Sequence, residues 1–172
     1  MLIEVDGLNH TGKTTLVAAL AQKGILTHKF QRTEQDPIEQ MIHHHIPMAA
    51  SPKLWVIDRG HGSEWCMSTA LNREVPYTQL AFWALDENLA QHDTVIAYLW
   101  APRDVIEKRL ADTGREWEAN YLFLMSAWEV FLATTLCRVV RLDGTLTPTD
   151  LVDQFEHQVL SLFKEDRVNG CT

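Results

Sequence analysis

The chain has 172 residues, a formal net charge of -8, 46% hydrophobic residues and 22% charged ones. That composition predicts one globular domain spanning 1–172 with a well-buried core, and excludes a disordered chain. The acidic balance disfavours a wide nucleic-acid footprint, which needs a basic face, yet allows a local basic pocket for small phosphates.

In chain order, "MLIEVD" is a short apolar run ending at a Gly-rich turn, the pattern of a buried strand. "KTTLVAALAQKG" has helical spacing and a glycine stop. "ILTHKFQR" is the second strand, "PIEQMIHHHI" a helix broken by "PMAASP", and "LWVIDR" the third strand. Residues 62–73 and 77–91 suit helices, with Pro76 near the second start. "TVIAYLWAP" is the fourth strand, Pro102 opens the helix "PRDVIEKRLADTG", and "REWEANYLFLMSAWEVFLAT" is a long amphipathic helix. "CRVVRLDG" is the fifth strand. The last helix is "TPTDLVDQFEHQVLSLF", with Thr147 as N-cap and Pro148 at its first position, before a tail at 164–172.

Five apolar strands alternating with helices predict a three-layer α/β/α fold around a five-stranded parallel sheet. Ligands bind such sheets beyond the carboxyl ends of the strands, which here carry Asp6, Arg32, Asp58, Arg59 and Asp143. Cys66, Cys137 and Cys171 show no paired spacing, which predicts reduced thiols in a cytoplasmic protein. No targeting segment or membrane span is expected.

Gly7, Gly12, Lys13 and Thr14 fit G-x-x-x-x-G-K-[ST] between a strand and a helix. This is the most specific signal in the chain. Glycines let backbone N–H groups wrap phosphate oxygens at a helix N-terminus. The loop residues Gly7, Asn9, His10, Thr11, Gly12, Lys13, Thr14 and Thr15 are therefore expected to bind ATP. Lys13 would reach the β and γ phosphates, and Thr14 would ligate Mg²⁺.

A phosphate loop alone does not name the acceptor, and three further stretches bear on it. "HKFQRTE" sets Arg32 opposite the loop, where an acceptor phosphate would sit. In "VIDRGHGSEW", Asp58 can hold Mg²⁺ or accept a proton, and Arg59 can clamp a phosphate with its planar fork. His61 and Glu64 follow closely and are expected to shape the acceptor pocket, with helix capping or surface placement as the alternative. Arg109 and Arg115 flank a break between two helices, the pattern of a lid over 109–120 that excludes water. Asp143 would join the nucleotide side from the end of the fifth strand.

These motifs resemble, in order and over nearly the whole chain, the thymidylate kinase-like and deoxynucleoside kinase branch of P-loop kinases. "IEVDGLNHTGKTTL" resembles the phosphate loop of that family, and "FQRT" its acceptor-arginine segment. "IDRGHGSE" resembles its Asp-Arg motif in the short phage-type form, and "REWEANYLFLMSAWEVFL" its lid and following helix. The resemblance implies a Mg²⁺-dependent transfer of the ATP γ-phosphoryl group to a nucleoside monophosphate, a pyrimidine deoxynucleotide in particular. Lys13, Asp58, Arg59 and Arg115 would then be catalytic, and Arg32 and Arg59 would address the acceptor. It also implies small nucleotide partners, no membrane, a possible homodimer, and the cytoplasm of a bacterium or phage-infected cell. One departure matters: thymidylate kinases usually carry an aspartate where Asn9 stands. The alternative acceptor is a hydroxyl, on a deoxynucleoside or on 5-hydroxymethyluracil in phage DNA. Only that alternative brings DNA in as a partner. A non-catalytic nucleotide-binding module is the third reading.

The three adjacent histidines His43, His44 and His45 cannot share one helix face, so they are expected in a solvated or substrate-lining segment rather than on one metal ion. Trp65, Phe82 and Trp83 either stack an acceptor base or fill the core, and their helical spacing favours the core.

Overall fold

The computed structural model describes residues 1–30, 37–73, 77–114 and 121–163. Five parallel strands form one sheet: β1 (Leu2–Gly7), β2 (Leu26–Lys29), β3 (Trp55–Asp58), β4 (Val95–Trp100) and β5 (Arg138–Asp143), ordered β2-β3-β1-β4-β5. Among the described residues seven helices accompany them: α1 (Lys13–Gln22), α2 (Pro37–Ala49), α3 (His61–Ala70), α4 (Gln79–Gln91), α5 (Arg103–Asp112), α6 (Tyr121–Thr134) and α7 (Pro148–Phe155). The expected parallel α/β architecture is the observed one. No helix among the described residues is long and apolar enough to cross a membrane.

The period of two along β1 sorts its side chains between two cores. Ile3 and Val5 join Leu16, Leu20, Leu151 and Phe155 of α1 and α7 on one face. Leu2 joins the opposite core, with Ile57, Tyr98, Phe82, Trp128 and Phe131. β1 and β4 are central and almost wholly buried, while β2 and β5 are half-exposed edges. The loop after β1 leads toward β2 and that after β3 toward β4, in opposite directions from neighbouring strands. Such a reversal opens a crevice at the carboxyl ends of β1 and β3.

Helix ends follow their local chemistry. Thr147 caps α7 by accepting from Asp150 N at 3.3 Å, with Pro148 at the first helical position as expected. A π-helical turn, Glu156–Leu160, continues that helix. The helix expected over 77–91 begins at Gln79 because Thr78 takes the capping position; Pro76 lies outside the described residues.

Two expectations are corrected. The "PMAASP" stretch does not break α2 after Ile46: the helix runs through Pro47 to Ala49. A proline that close to the C-terminus removes few helical bonds, and Ala50 N still donates to Ile46 O at 2.9 Å. The histidine run is not uniformly solvated. His43 and His44 are exposed, whereas His45 is fully buried with Nδ1 3.3 Å from Glu4 Oε1. Of the expected 115–134 helix, Tyr121–Thr134 is observed; 115–120, and with it half of the expected 109–120 lid, lies outside the described residues, as does the tail 164–172.

Candidate active site

The loop between β1 and α1 closes tightly around its own backbone. Gly7 has φ +132°, and a Cβ there would stand 2.3 Å from the Leu99 carbonyl oxygen, so only glycine fits. Thr11 Oγ1 donates to Leu8 O at 2.9 Å, and Gly12, at φ +104°, opens α1. Lys13 Nζ donates to Gly7 O at 2.9 Å and also to Leu8 O. Burial, then the nearby Arg59 charge, lowers the Lys13 ammonium to about 7 against the pull of Asp6 and Asp58.

The tip of the loop is held from two helices. Arg109 Nη1 donates to His10 O at 3.0 Å from α5, and Tyr121 Oη donates to Asn9 O at 2.7 Å from α6. A cavity of about 410 Å³ opens beside it, lined by His10, Thr15, Arg109, Thr113, Gly144 and Leu151 among others. A second, of about 300 Å³, is lined by Asn9, His10, Lys13, Thr14, Thr15 and Arg59, and the two share His10, Gly12 and Thr15. Asp143 itself forms the turn after β5, accepting from Thr145 N at 2.8 Å, while its neighbour Gly144 lines the larger cavity.

β3 delivers the facing wall. Asp58 Oδ2 accepts from Thr14 Oγ1 at 2.8 Å, while Asp58 Oδ1 is buried without a hydrogen-bond partner. A hydroxyl and a carboxylate side by side, with one buried oxygen unsatisfied, are a donor set that fits Mg²⁺. Arg59 stands at φ +74°, and its Nη2 donates to Asn9 Oδ1 at 2.9 Å across the cavity mouth. Asn9 therefore meets Arg59 with a neutral amide oxygen. An aspartate there would neutralise the guanidinium that an anion needs.

Beneath this turn lies a buried polar core, in which Asp6 and His61 stand with Glu4 and Asp86. Asp6 Oδ1 accepts from Gly60 N at 3.0 Å and Ser63 Oγ at 2.5 Å, while Oδ2 is buried without a partner. Burial and the neighbouring Glu4 charge raise the Asp6 carboxyl. His61 lies in this core, its Nδ1 2.5 Å from Glu4 Oε2 and its Nε2 2.8 Å from Asp86 Oδ1. Burial alone would lower the imidazole; the two carboxylates hold it up to about 10. Burial alone would raise Glu4; the His61 charge and the adjoining His45 hold it at about 2. The signal for Glu4 was present in "LIEVD", where a carboxylate inside an apolar strand demands a buried partner.

Glu64 is buried on α3 and accepts from Ser68 Oγ at 2.9 Å. Trp65 is half-buried, its ring centroid 6.2 Å from Phe82 and 6.1 Å from Trp83, so these aromatics pack on one another. Trp65 also edges a separate cavity of about 400 Å³ with Ser68, Asn72, Arg73, Tyr77 and Gln79. Arg32 and Arg115 lie outside the described residues.

This fold recurs in solved structures. YorR from Bacillus subtilis, determined with phosphorylated GDP, superposes with a TM-score of 0.75 at 17% identity, covering 97% of this chain and 98% of that one. The fold is one that nucleotide kinases use. Deoxyadenosine kinase from M. mycoides with bound dCTP gives 0.58 at 17% identity, over 94% of this chain and 100% of that one. Thymidylate kinase from Candida albicans gives 0.52 at 16% identity, over 96% and 92%. No family model matches the sequence, and no curated protein does.

Proposed function

We propose that this protein is a kinase that moves the γ-phosphoryl group of ATP to a nucleoside monophosphate, with a pyrimidine deoxynucleotide as acceptor. The observation that carries this reading is that Lys13 and Arg59 line one phosphate-loop cavity with Thr14, whose hydroxyl donates to Asp58. A lysine and an arginine lining one small polar cavity suit a donor triphosphate meeting an acceptor that already bears phosphate.

In this reading the loop amides and Lys13 hold the triphosphate. The larger cavity beside Arg109 and Gly144 takes the donor base. Thr14 and Asp58 would hold Mg²⁺, which would supply positive charge to the bound triphosphate. Arg59, with Arg32, fixes the acceptor phosphate in line, so that an acceptor oxygen bonds to the γ phosphorus as the bond to ADP breaks. Arg115 and the 109–120 segment close over the site and exclude water as a competing acceptor. An ionised phosphate oxygen carries no proton, so this transfer needs no general base.

One observation favours a second reading, transfer to a hydroxyl. Asp58 Oδ1 is buried without a partner beside Thr14 of the loop cavity, and a carboxylate oxygen there is placed to take the proton that an alcohol must lose. The test supplies labelled ATP and Mg²⁺ with nucleoside monophosphates, the matching nucleosides, and DNA containing 5-hydroxymethyluracil. Diphosphate from one monophosphate, lost with Arg59→Ala while nucleotide binding persists, supports the main reading. Label only on nucleoside or DNA replaces it with the second.

A further inference from the structure

The turn that carries Asp58 and Arg59 is docked on β1 by three successive backbone groups. Arg59 N donates to Val5 O at 3.1 Å, Gly60 N to Asp6 Oδ1 at 3.0 Å, and His61 N to Glu4 Oε2 at 3.2 Å. Docking of this kind must be strong, because Arg59 is held at φ +74°, a region that residues with a Cβ rarely adopt. The contact is also close. A Cβ on Gly60 would stand 2.0 Å from Glu4 Oε2, so the carboxylate lies directly under the turn.

The ring of His61 completes the docking. Both of its nitrogens face carboxylate oxygens, Glu4 on β1 and Asp86 on α4. A neutral imidazole has one N–H and would turn a lone pair toward one carboxylate; only the imidazolium donates twice. Phe82 and Phe131 flank the ring at centroid distances of 5.6 and 5.4 Å, and the side chain is fully buried. Asp86 is fixed in its turn, accepting from Leu136 N at 2.8 Å and from the Thr135 hydroxyl. The bridge thus runs from the centre of the sheet, through the first residue of α3, to α4 and the connection before β5.

We propose that His61 is a positioning residue, which bridges Glu4 and Asp86 as an imidazolium and thereby holds the Asp58–Arg59 turn, and with it the Arg59 guanidinium, over the phosphate-loop cavity. The role in turnover rests on the reading of Arg59 as the acceptor clamp; the bridge itself does not. Lys13 donates to Gly7 O and Leu8 O of the loop itself, so its hydrogen bonds do not run through this bridge, whereas Asn9 and Thr14 meet the turn at Arg59 and Asp58.

The test compares wild type with His61→Gln, and with Asp86→Asn should His61→Gln fail to fold. Three quantities are read: amide exchange of residues 59–61 against Leu16 and Leu20 of α1, the Kd of a non-hydrolysable ATP analogue, and kcat and KM for the monophosphate. The expected result is exchange of residues 59–61 faster by about tenfold or more with α1 unchanged, since sub-global opening is local. Measured without Mg²⁺, the analogue Kd stays within about twofold, while kcat/KM for the acceptor falls by about tenfold or more. In wild type, two slowly exchanging His61 ring N–H signals persist at about pH 8. Unchanged exchange at 59–61, equal loss of analogue binding, or a single ring N–H signal overturns the proposal. Absence of product from every monophosphate with wild type overturns the acceptor reading instead, and the exchange and ring signals still judge the bridge.

Discussion

The two faces of this sheet are built from the same strands by opposite means. On the face covered by α1 and α7, the core cluster is entirely apolar, with Ile3 and Val5 from β1 against Leu16, Leu20 and Phe155. On the face covered by α3, α4 and α6, β1 contributes Leu2 but also Glu4 and Asp6, and these meet His45, His61 and Asp86, all fully buried. An apolar core is non-directional and tolerates small shifts; a buried ionic bridge costs desolvation and returns geometry. The apolar face holds the helix that carries the phosphate loop, whose own backbone already sets its shape. The polar face holds a turn with a left-handed arginine, which has no such local solution and needs directional bonds.

The largest effect that separates the two faces is on turnover. Lys13→Ala is expected to lower kcat by on the order of 10³-fold, the scale of losing a preorganised charge on the transferring group. The variant should keep wild-type circular dichroism, because the sheet and α1 do not rest on the bonds from the ammonium to Gly7 O and Leu8 O. A folded Lys13→Ala with wild-type turnover would remove the loop from the chemistry altogether.

Next comes the stability of the polar face and its pH dependence. Glu4→Gln leaves His61 with one charged acceptor and is expected to cost about 3–5 kcal/mol at about pH 6, read from urea midpoints. The folded Glu4 pKa, about 2, lies below its ordinary 4.5, so its stabilisation is present above 4.5 and is lost as pH falls toward 2. The folded His61 pKa, about 10, lies above its ordinary 6.5, so its contribution is full below 6.5 and is lost as pH rises through 10. Wild-type stability from this pair therefore peaks between 4.5 and 6.5, with an acid and an alkaline limb. Glu4→Gln should shallow both limbs, because Asp86, whose carboxyl His61 also holds below its ordinary value, keeps part of the acid one; an unchanged profile would mean the bridge is not ionic.

The same contrast explains what the sequence made legible. The parallel sheet, its strands and the helix starts at Lys13 and Pro148 were readable because each rests on local pattern: apolar runs, a glycine turn, a Thr-Pro cap. The phosphate loop was readable because its chemistry is written in consecutive residues. Asp58 and Arg59 were readable as a pair at a strand end, but not the Asn9 amide that receives Arg59, some 50 residues away in sequence. Of the bridge, only the need of Glu4 for a buried partner was readable, not the partner. Glu4, His61 and Asp86 are separated by 57 and 25 residues, and no spacing rule joins them. His45 failed for a related reason: a run of three histidines reads as solvent-facing, while helical rotation sends one of the three inward beside a carboxylate. Pro47 reads as a stop because sequence does not tell how near the helix already is to ending.

The smallest effect tests the apolar face by itself. Ile3→Val deletes one methylene from a fully buried side chain and is expected to cost about 1 kcal/mol. Its importance lies in its shape against pH. Nothing in that cluster ionises, so the loss should be the same at acid, neutral and alkaline pH, while the Glu4→Gln loss varies across the same range. Urea midpoints of both variants, taken side by side along one pH series, give two curves relative to wild type, one flat and one sloping. If the Ile3→Val curve slopes as well, the two faces are coupled through β1, and the strand does not insulate the phosphate loop from the charge state beneath the Asp58–Arg59 turn. A flat curve means that β1 keeps the two functions apart with nothing more than the alternation of its side chains.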